Sequence, residues 1–444
     1  MRDAAGPRHT VRVADAEPPD QTPARGSMLH IGAWVLYDLA NTVYSATLTF
    51  VFTPFATKQL GGESTPIGLV NTGSMVLAGL LVPVLGALAD QTARTRGYLA
   101  IATLLCIAGT AGFGLDLGTG VMLACFFVAN ITYNLGLLFY NSLLPAVASA
   151  GREGRVSGLG VGLGYIGTIG VIVALMPLHT TDRVRFLLAA GLFLVFALPC
   201  LLLVRDPRAP RAGKRGTVMR RALRELATTL KSLPRHRALL WFLLGNFCLV
   251  DVLNTAILFF ATFTKDVFSA AAHAHGLSLF GLELAGDEGL TTLLMITGVV
   301  LNGLALPFGI VLGPWTDRAP LSVMRASALA LLGGLVGGTA FGGSSALGYL
   351  ATLGVLGAFG LAGVWTAGRK MIVLLAPPER IGEFFGLYGI TVKLSVVGSS
   401  VFALVRDAYG SKPAMLAQGI QLLIGLGCLA MVRVPRPDAA AATA

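Results

Sequence analysis

Apolar residues gather along the chain into about twelve blocks of roughly 20, the length a helix needs to cross ~30 Å of hydrocarbon. Six of them are Met28–Phe55, Pro66–Ala89, Tyr98–Leu115, Val121–Leu144, Val156–Met176 and Val184–Val204. A polar stretch, Arg205–His236, then breaks the pattern. Six more follow it: Ala238–Thr262, Leu290–Leu312, Val323–Phe341, Ala346–Trp365, Ile381–Leu404 and Ala414–Val432. A polar loop is expected over 264–289. The pattern predicts an all-α membrane protein of twelve transmembrane helices in two pseudo-symmetric six-helix bundles. Its parts are a tail over 1–27, a first bundle over 28–204, a linker over 205–236, a second bundle over 237–432 and a tail over 433–444.

Two polar motifs interrupt the apolar blocks, and each occurs twice in register. Asp38 and Asn41 stand three apart in the first block, and Asp251 and Asn254 repeat that spacing in the seventh. Gly86–Asp90 closes the second block, and Gly313–Asp317 closes the eighth with the same spacing. Recurrence in register argues for duplication, and duplicated halves commonly hold a substrate near the membrane midplane between them.

Composition agrees with this reading and narrows it. The chain is 55% hydrophobic and only 12% charged, where a soluble domain carries about 25% charge. The net charge of +11 would suit a nucleic-acid partner if it formed a patch, but it does not. Of the 33 Lys and Arg, 26 fall in segments on one side of the predicted helices and 6 on the other, with Lys393 inside a helix. That is the positive-inside bias, with both termini cytoplasmic. The linker Arg205–His236, taken with Arg237, supplies eleven of the 26, and 217–230 within it has the makings of an interfacial amphipathic helix. Met1–Gly26 lacks a signal-peptide core and reads as a disordered cytoplasmic tail. The five cysteines all sit in apolar runs without a CxxC, so they read as packing residues. His273 and His275, beside Glu283, Asp287 and Glu288, make a weak case for a metal site, and a polar loop is the better account. No cofactor is expected.

The chemistry-bearing residues are those that cost most to bury. A carboxylate at membrane depth costs ~3 kcal/mol or more, so Asp38 and Asp251 should face protein or water and bind a coupling ion or a cationic group. On a helix Asn41 shares Asp38's face, and Tyr37 and Tyr44 flank it; Asn254 stands likewise beside Asp251. Asn130, Asn134 and Asn141 lie close to one face of the fourth helix, with Tyr133 and Tyr140 on the adjoining one, as in a wet cavity wall. Lys393 is a cation deep in the eleventh run and must meet a carboxylate or an anionic substrate group; Asp38 and Asp251 are its candidate partners. Gly160 and Gly164 form a Gly-x-x-x-Gly in a fifth helix that is unusually bare, which lets helices approach closely. Gly86, Asp90 and Arg94, with Gly313, Asp317 and Arg318 at the matching place, suit a loop latch that biases one facing state.

These last residues give the chain its resemblance to the major facilitator superfamily, whose loop pattern Gly86, Asp90 and Arg94 match while Gln91, Ala93 and Thr95 depart from it. Within the superfamily it resembles the autophagy-related vacuolar effluxers and their bacterial relatives. The resemblance rests on Trp34, Tyr37-Asp38, Ala40-Asn41, Tyr44, Tyr140-Asn141 and Leu144-Pro145. It continues through Arg155-Val156-Ser157-Gly158, Gly164-Tyr165, Glu383 to Tyr388 and Lys393. It implies a twelve-helix transporter with amino-acid export as the eukaryotic precedent.

The expected function is therefore secondary active transport: export of a small polar solute, an amino acid or related zwitterion, by alternating access and coupled to a proton or sodium ion. A monomer in a bacterial inner membrane is expected. Competing readings are an exporter of drug-like or lipid-like amphiphiles, and a transport-inactive receptor or scaffold. A membrane-embedded enzyme is disfavoured. The six histidines lie in tails, loops or helix ends, and an aspartyl mechanism needs Asp38 and Asp251 in a close dyad.

Overall fold

The computed structural model describes residues 27–92, 94–115, 117–147, 153–206, 231, 233–376 and 381–434. The expected tail over 1–26, most of the basic linker with 217–230, and residues 435–444 lie outside that set. Helix α1 spans 28–59 as an α segment Met28–Thr47, a π turn Leu48–Phe52 and a second α segment Thr53–Gln59. Then come α2 (Thr65–Thr92), α3 (Thr95–Gly112), α4 (Thr119–Val147), α5 (Glu153–Leu175) and α6 (Asp182–Leu203). The second half opens with α7 (Arg237–Ala274), a hairpin of β1 (Leu277–Leu279) and β2 (Leu282–Leu284), α8 (Gly286–Arg318) and α9 (Pro320–Phe341). Helix α10 spans 346–375 with a π turn at Leu350–Leu356. Helix α11 spans 381–409 in two pieces, Ile381–Leu394 and Val397–Tyr409, and α12 is Ser411–Ala430.

Local chemistry sets several of these ends. The Thr181 hydroxyl accepts from the N–H of Val184 at the start of α6, with Asp182 in the first turn where an anion suits the helix dipole. Ser345 caps α10 in the same way through the N–H of Gly348. Pro320 opens α9, where its missing N–H costs nothing. Gly410, at φ 90°, turns the chain between α11 and α12.

Two elements differ from the sequence pattern. In place of a polar loop over 264–289, α7 runs on to Ala274, because Phe268, Ala271 and Ala272 continue its buried face past Lys265 and Asp266. The hairpin then pairs Leu277 with Leu284 and Leu279 with Leu282 across a two-residue turn, Phe280-Gly281, in which both φ values are positive. The second difference is the run expected to be continuous over Ile381–Leu404, which breaks at Ser395–Val396.

Among the described residues, nine helices are long and apolar enough to cross a membrane, against the twelve the pattern predicts. Helix α1 is outside the nine. Asp38, Asn41 and the hydroxyls of Thr42, Ser45, Thr47 and Thr49 dilute its apolar run. Large apolar side chains such as Leu80, Ile101, Val195, Ile310 and Ile420 stand exposed on the outer surface, where a bilayer would cover them.

The helix pairing repeats between halves. In the first half α1 packs on α6, α2 on α4, α3 on α4 and α6; in the second, α7 packs on α12, α8 on α10, α9 on α10 and α12. The halves meet where α2 faces α11, where α5 faces α8, and where the later part of α1 faces α7. Two ends of the molecule are thereby defined. The hairpin end carries the turns at 60–64 and 275–285, and the linker end carries Val204–Asp206 and His236.

Candidate transport cavity

A cavity of about 380 Å³ lies between the halves, lined by α1 and α5 on one side and α7 to α10 on the other. Its wall is largely apolar, with Phe50, Leu253, Phe260, Leu335 and Trp365 prominent. Polar groups enter at a few places: Asp38, Thr42, Ser45 and Thr49 on α1, Tyr165 and Thr168 on α5, Asn302 on α8 and Arg369 on α10. An apolar chamber with a few convergent polar groups is the usual form of a small-molecule site. Both π turns contribute to it, through Thr49 and Phe50 from one and Leu353 from the other. Such turns recur at functional sites because the extra residue re-aims the side chains around it. Arg369 is exposed and sits near the linker end of α10, so the cavity reaches solvent on that side.

Asp38 stands where it does because α5 is bare beneath it. A Cβ on Gly160 would come within 2.9 Å of Asp38 Oδ2 and 3.4 Å of Tyr140 Oη, and one on Gly164 within 3.0 Å of Thr42. The glycine face thus makes room for a carboxylate between two close helices. Trp34 stacks on Tyr140 with ring centroids 4.3 Å apart and donates from Nε1 to the Tyr140 carbonyl at 3.1 Å. Tyr37 stacks on the same ring at 5.0 Å and shares a 2.6 Å hydrogen bond with Thr103. Tyr44 leans on Tyr133 at 4.6 Å. These aromatics fix α1 against α4 behind the cavity rather than lining it. Asn41 is 2% exposed, and neither its amide atoms nor the hydroxyls of Tyr44 and Tyr140 make a hydrogen bond of good geometry.

The second Asp-x-x-Asn does something different. Asp251 is fully buried and does not line the cavity, although its neighbours Val252 and Leu253 do. Both its carboxylate oxygens accept the N–H of Gly398, at 3.0 and 2.9 Å, and Gln421 Nε2 donates to Oδ2 at 2.5 Å. Asn254 donates to the carbonyl of Ser395 at 2.8 Å. The pair holds the two sides of the break in α11. Equivalent places in the sequence have become a cavity wall in one half and a helix clamp in the other.

The asparagines of α4 also lie off the cavity. Asn130 Nδ2 donates to Asn71 Oδ1 at 2.9 Å and Ser74 Oγ at 2.7 Å, both on α2, and Asn134 donates to the Asn130 carbonyl at 2.8 Å. Asn141 is exposed. Lys393 meets neither Asp38 nor Asp251. Its Nζ donates to Asn134 Oδ1 at 2.7 Å, across the seam between halves. Of the residues expected from the sequence to bind solute or coupling ion, Asp38 is the one in the cavity wall.

The cation in that wall, Arg369, is the residue that sequence reading missed. It sits in Arg369-Lys370, which ends an apolar run if the run is stopped at Trp365. The signal was Met371 to Leu375, apolar residues that carry α10 another turn and a half beyond the pair. Of the loop motifs, Asp317 pairs with Lys370 at 3.4 Å, with both side chains substantially exposed, rather than with Arg318. Gly313 has open space around it, Gly86 faces Leu138 at 3.8 Å, and Arg94 is exposed just before α3. The Asp90 side chain lies outside the described set. His273 comes within 3.6 Å of Asp287, but no group of three or more metal-ligating side chains occurs among the described residues.

Two helical half-molecules around a central cavity, inside an apolar outer surface, define a multi-pass membrane transporter of the major facilitator kind. A mutant of the nucleoside transporter NupG superposes with a TM-score of 0.70 at 15% identity, over 91% of this chain and all of that one. A POT family transporter in complex with 5-aminolevulinic acid superposes with a TM-score of 0.66 at 15% identity, over 90% of this chain and 95% of that one. The family model described as "Vacuole effluxer Atg22 like" matches residues 65–442, and the chain belongs to that family. It is 26% identical over 425 residues to the uncharacterized MFS-type transporter YxiO of Bacillus subtilis (strain 168), covering 90% of this chain and 94% of that protein.

Proposed function

We propose that the chain exports a small zwitterionic solute, an amino acid or a relative of one, held between Asp38 and Arg369, and that proton exchange at Asp38 couples the movement. The observation that carries this reading is the placement of one carboxylate and one guanidinium, from opposite halves, in the wall of a single cavity whose other described lining residues are uncharged. A solute with an amine and a carboxylate satisfies both charges at once and joins the halves as it binds. The apolar remainder of the wall takes the body of the solute. The neighbour crystallised with 5-aminolevulinic acid shows that a fold of this kind accepts a zwitterion. The wall's apolar character also supports a second reading, transport of a larger amphiphile, for which the charges would be secondary.

Residence in a bacterial inner membrane as a monomer, with the basic linker cytoplasmic, belongs to the same proposal; the positive-inside bias supports that orientation. Counterflow of an amino-acid panel into liposomes holding the purified protein, with and without an imposed proton gradient, tests the reading. Gradient-dependent flux of one or a few zwitterions supports it. Flux confined to uncharged amphiphiles would replace it with the second reading.

A further inference from the structure

The two pieces of α11 are separated by Ser395–Val396, both buried, and the break is gripped from both halves. From its own half, Asp251 takes the N–H of Gly398, Asn254 holds the Ser395 carbonyl, and Gln418 donates to the Gly398 carbonyl at 3.2 Å. From the other half, Thr72 donates to the Val396 carbonyl at 2.9 Å, and Asn71 donates to Ser399 Oγ at 3.1 Å. Lys393, two residues before the break, donates to Asn134. Asn134, Asn130 and Asn71 are themselves bonded in series, so a closed ring runs from Lys393 through α4 and α2 back to Ser399. An unbroken helix would spend these backbone groups on itself. The break frees the Gly398 N–H and the Ser395 carbonyl for Asp251 and Asn254 of the same half, and the Val396 carbonyl reaches Thr72 across the seam.

Beyond the break the seam stays closed to the hairpin end. Helices α2 and α11 approach so closely at Gly68 that a Cβ there would lie 2.6 Å from the Ser399 carbonyl oxygen. Further along, Asp407 accepts the N–H groups of Ser64 and Thr65, and Arg406 donates to the Gly62 carbonyl at 2.7 Å while pairing with Asp266. The hydrogen bonds named above that join the halves all lie between Lys393 and this end, and the cavity reaches solvent at the other.

We propose that Lys393 and the clamped break in α11 are a latch that sets the population of the state closed at the hairpin end, and that Lys393 is not a solute ligand. The ammonium is the one charged group in the ring, and Asn134 is its partner across the seam. Opening the hairpin end must part them. The inference rests on the carrier reading only in needing halves that open alternately. It does not depend on which solute the cavity takes.

Double electron–electron resonance on full-length protein without solute tests it, with spin labels on cysteines at Glu63 and Tyr409, both exposed, in a background with the native cysteines replaced. Lys393→Met keeps the apolar stem and removes the charged hydrogen bond. It should raise the ratio of long to short distances roughly tenfold. Asn134→Asp turns the contact into an ion pair and should lower that ratio. Opposite shifts establish the latch. Unchanged distributions, or shifts of the same sign, overturn it. So does a Lys393→Met protein that keeps its distance distribution while losing solute binding, the result a solute ligand would give. A latch confirmed alongside a failed amino-acid panel would leave the latch standing and remove the zwitterion.

Discussion

Asp38 and Asp251 show how far residue type and spacing go. Both are carboxylates at matching places in a repeat, and both satisfy the rule that a charge at membrane depth must face protein or water. Their work differs because their neighbours differ. Asp38 lies over Gly160 and opens on the cavity, whereas Asp251 spends both oxygens on one backbone N–H and a glutamine. No property of Asp251-Val-Leu-Asn254 announces this, since the partner, Gly398, is 147 residues away. Asp38→Asn should therefore abolish gradient-driven flux while leaving thermal unfolding within a few degrees of the parent. Asp251→Ala should do the reverse. It leaves the Gly398 N–H buried without an acceptor, at a cost of about 1–3 kcal/mol, and should lower the unfolding temperature while the folded fraction still binds solute. Thermal scans and binding isotherms on the two variants decide between these roles.

At the scale of the helix, the blocks of apolar residues and the duplicated motifs were legible because lipid imposes a length and a composition that soluble cores do not. The breaks were not. Helix α11 carries no proline at Ser395–Val396, and its interruption follows from tertiary partners: Thr72 on one side, Asn254 and Asp251 on the other. The end of α10 was misread for a related reason. Arg369-Lys370 resembles a loop until one sees that Arg369 has a cavity and Lys370 has Asp317 to turn toward. The bare face of α5 was legible, and the structure supplies its purpose. Gly167 lies against Leu39 and Thr42, where a larger side chain has no room. Gly167→Leu should force α1 and α5 apart and cost roughly 1–3 kcal/mol, visible as a lowered unfolding temperature and a weakened Asp38 site.

For the whole molecule, the repeated helix pairing gives a symmetric scaffold, and the polar contacts make it asymmetric. The seam is laced with hydrogen bonds from Lys393 to the hairpin end, while the cavity is open toward the linker end. A carrier needs the opposite arrangement to be within a few kcal/mol, so single bonds at the seam should move the balance. Asp407→Asn weakens the acceptor of two N–H groups at the start of α2. It should raise labelling of a cysteine placed at Phe50 by a reagent applied from the hairpin side. An unchanged labelling rate would mean that closure there rests on packing alone.

The central claim, that one zwitterion is held between Asp38 and Arg369, is tested most directly by measuring binding of a transported amino acid and its two blocked forms. One form lacks the amine charge and the other lacks the carboxylate charge, and each is titrated into the parent, Asp38→Asn and Arg369→Gln proteins. The parent should prefer the zwitterion to either blocked form by roughly 10- to 100-fold, the range expected for a charged hydrogen bond. Asp38→Asn should lose only the preference for the free amine, and Arg369→Gln only the preference for the free carboxylate. Parent affinities that ignore both blocking groups, or variants that lose both preferences together, would contradict the account.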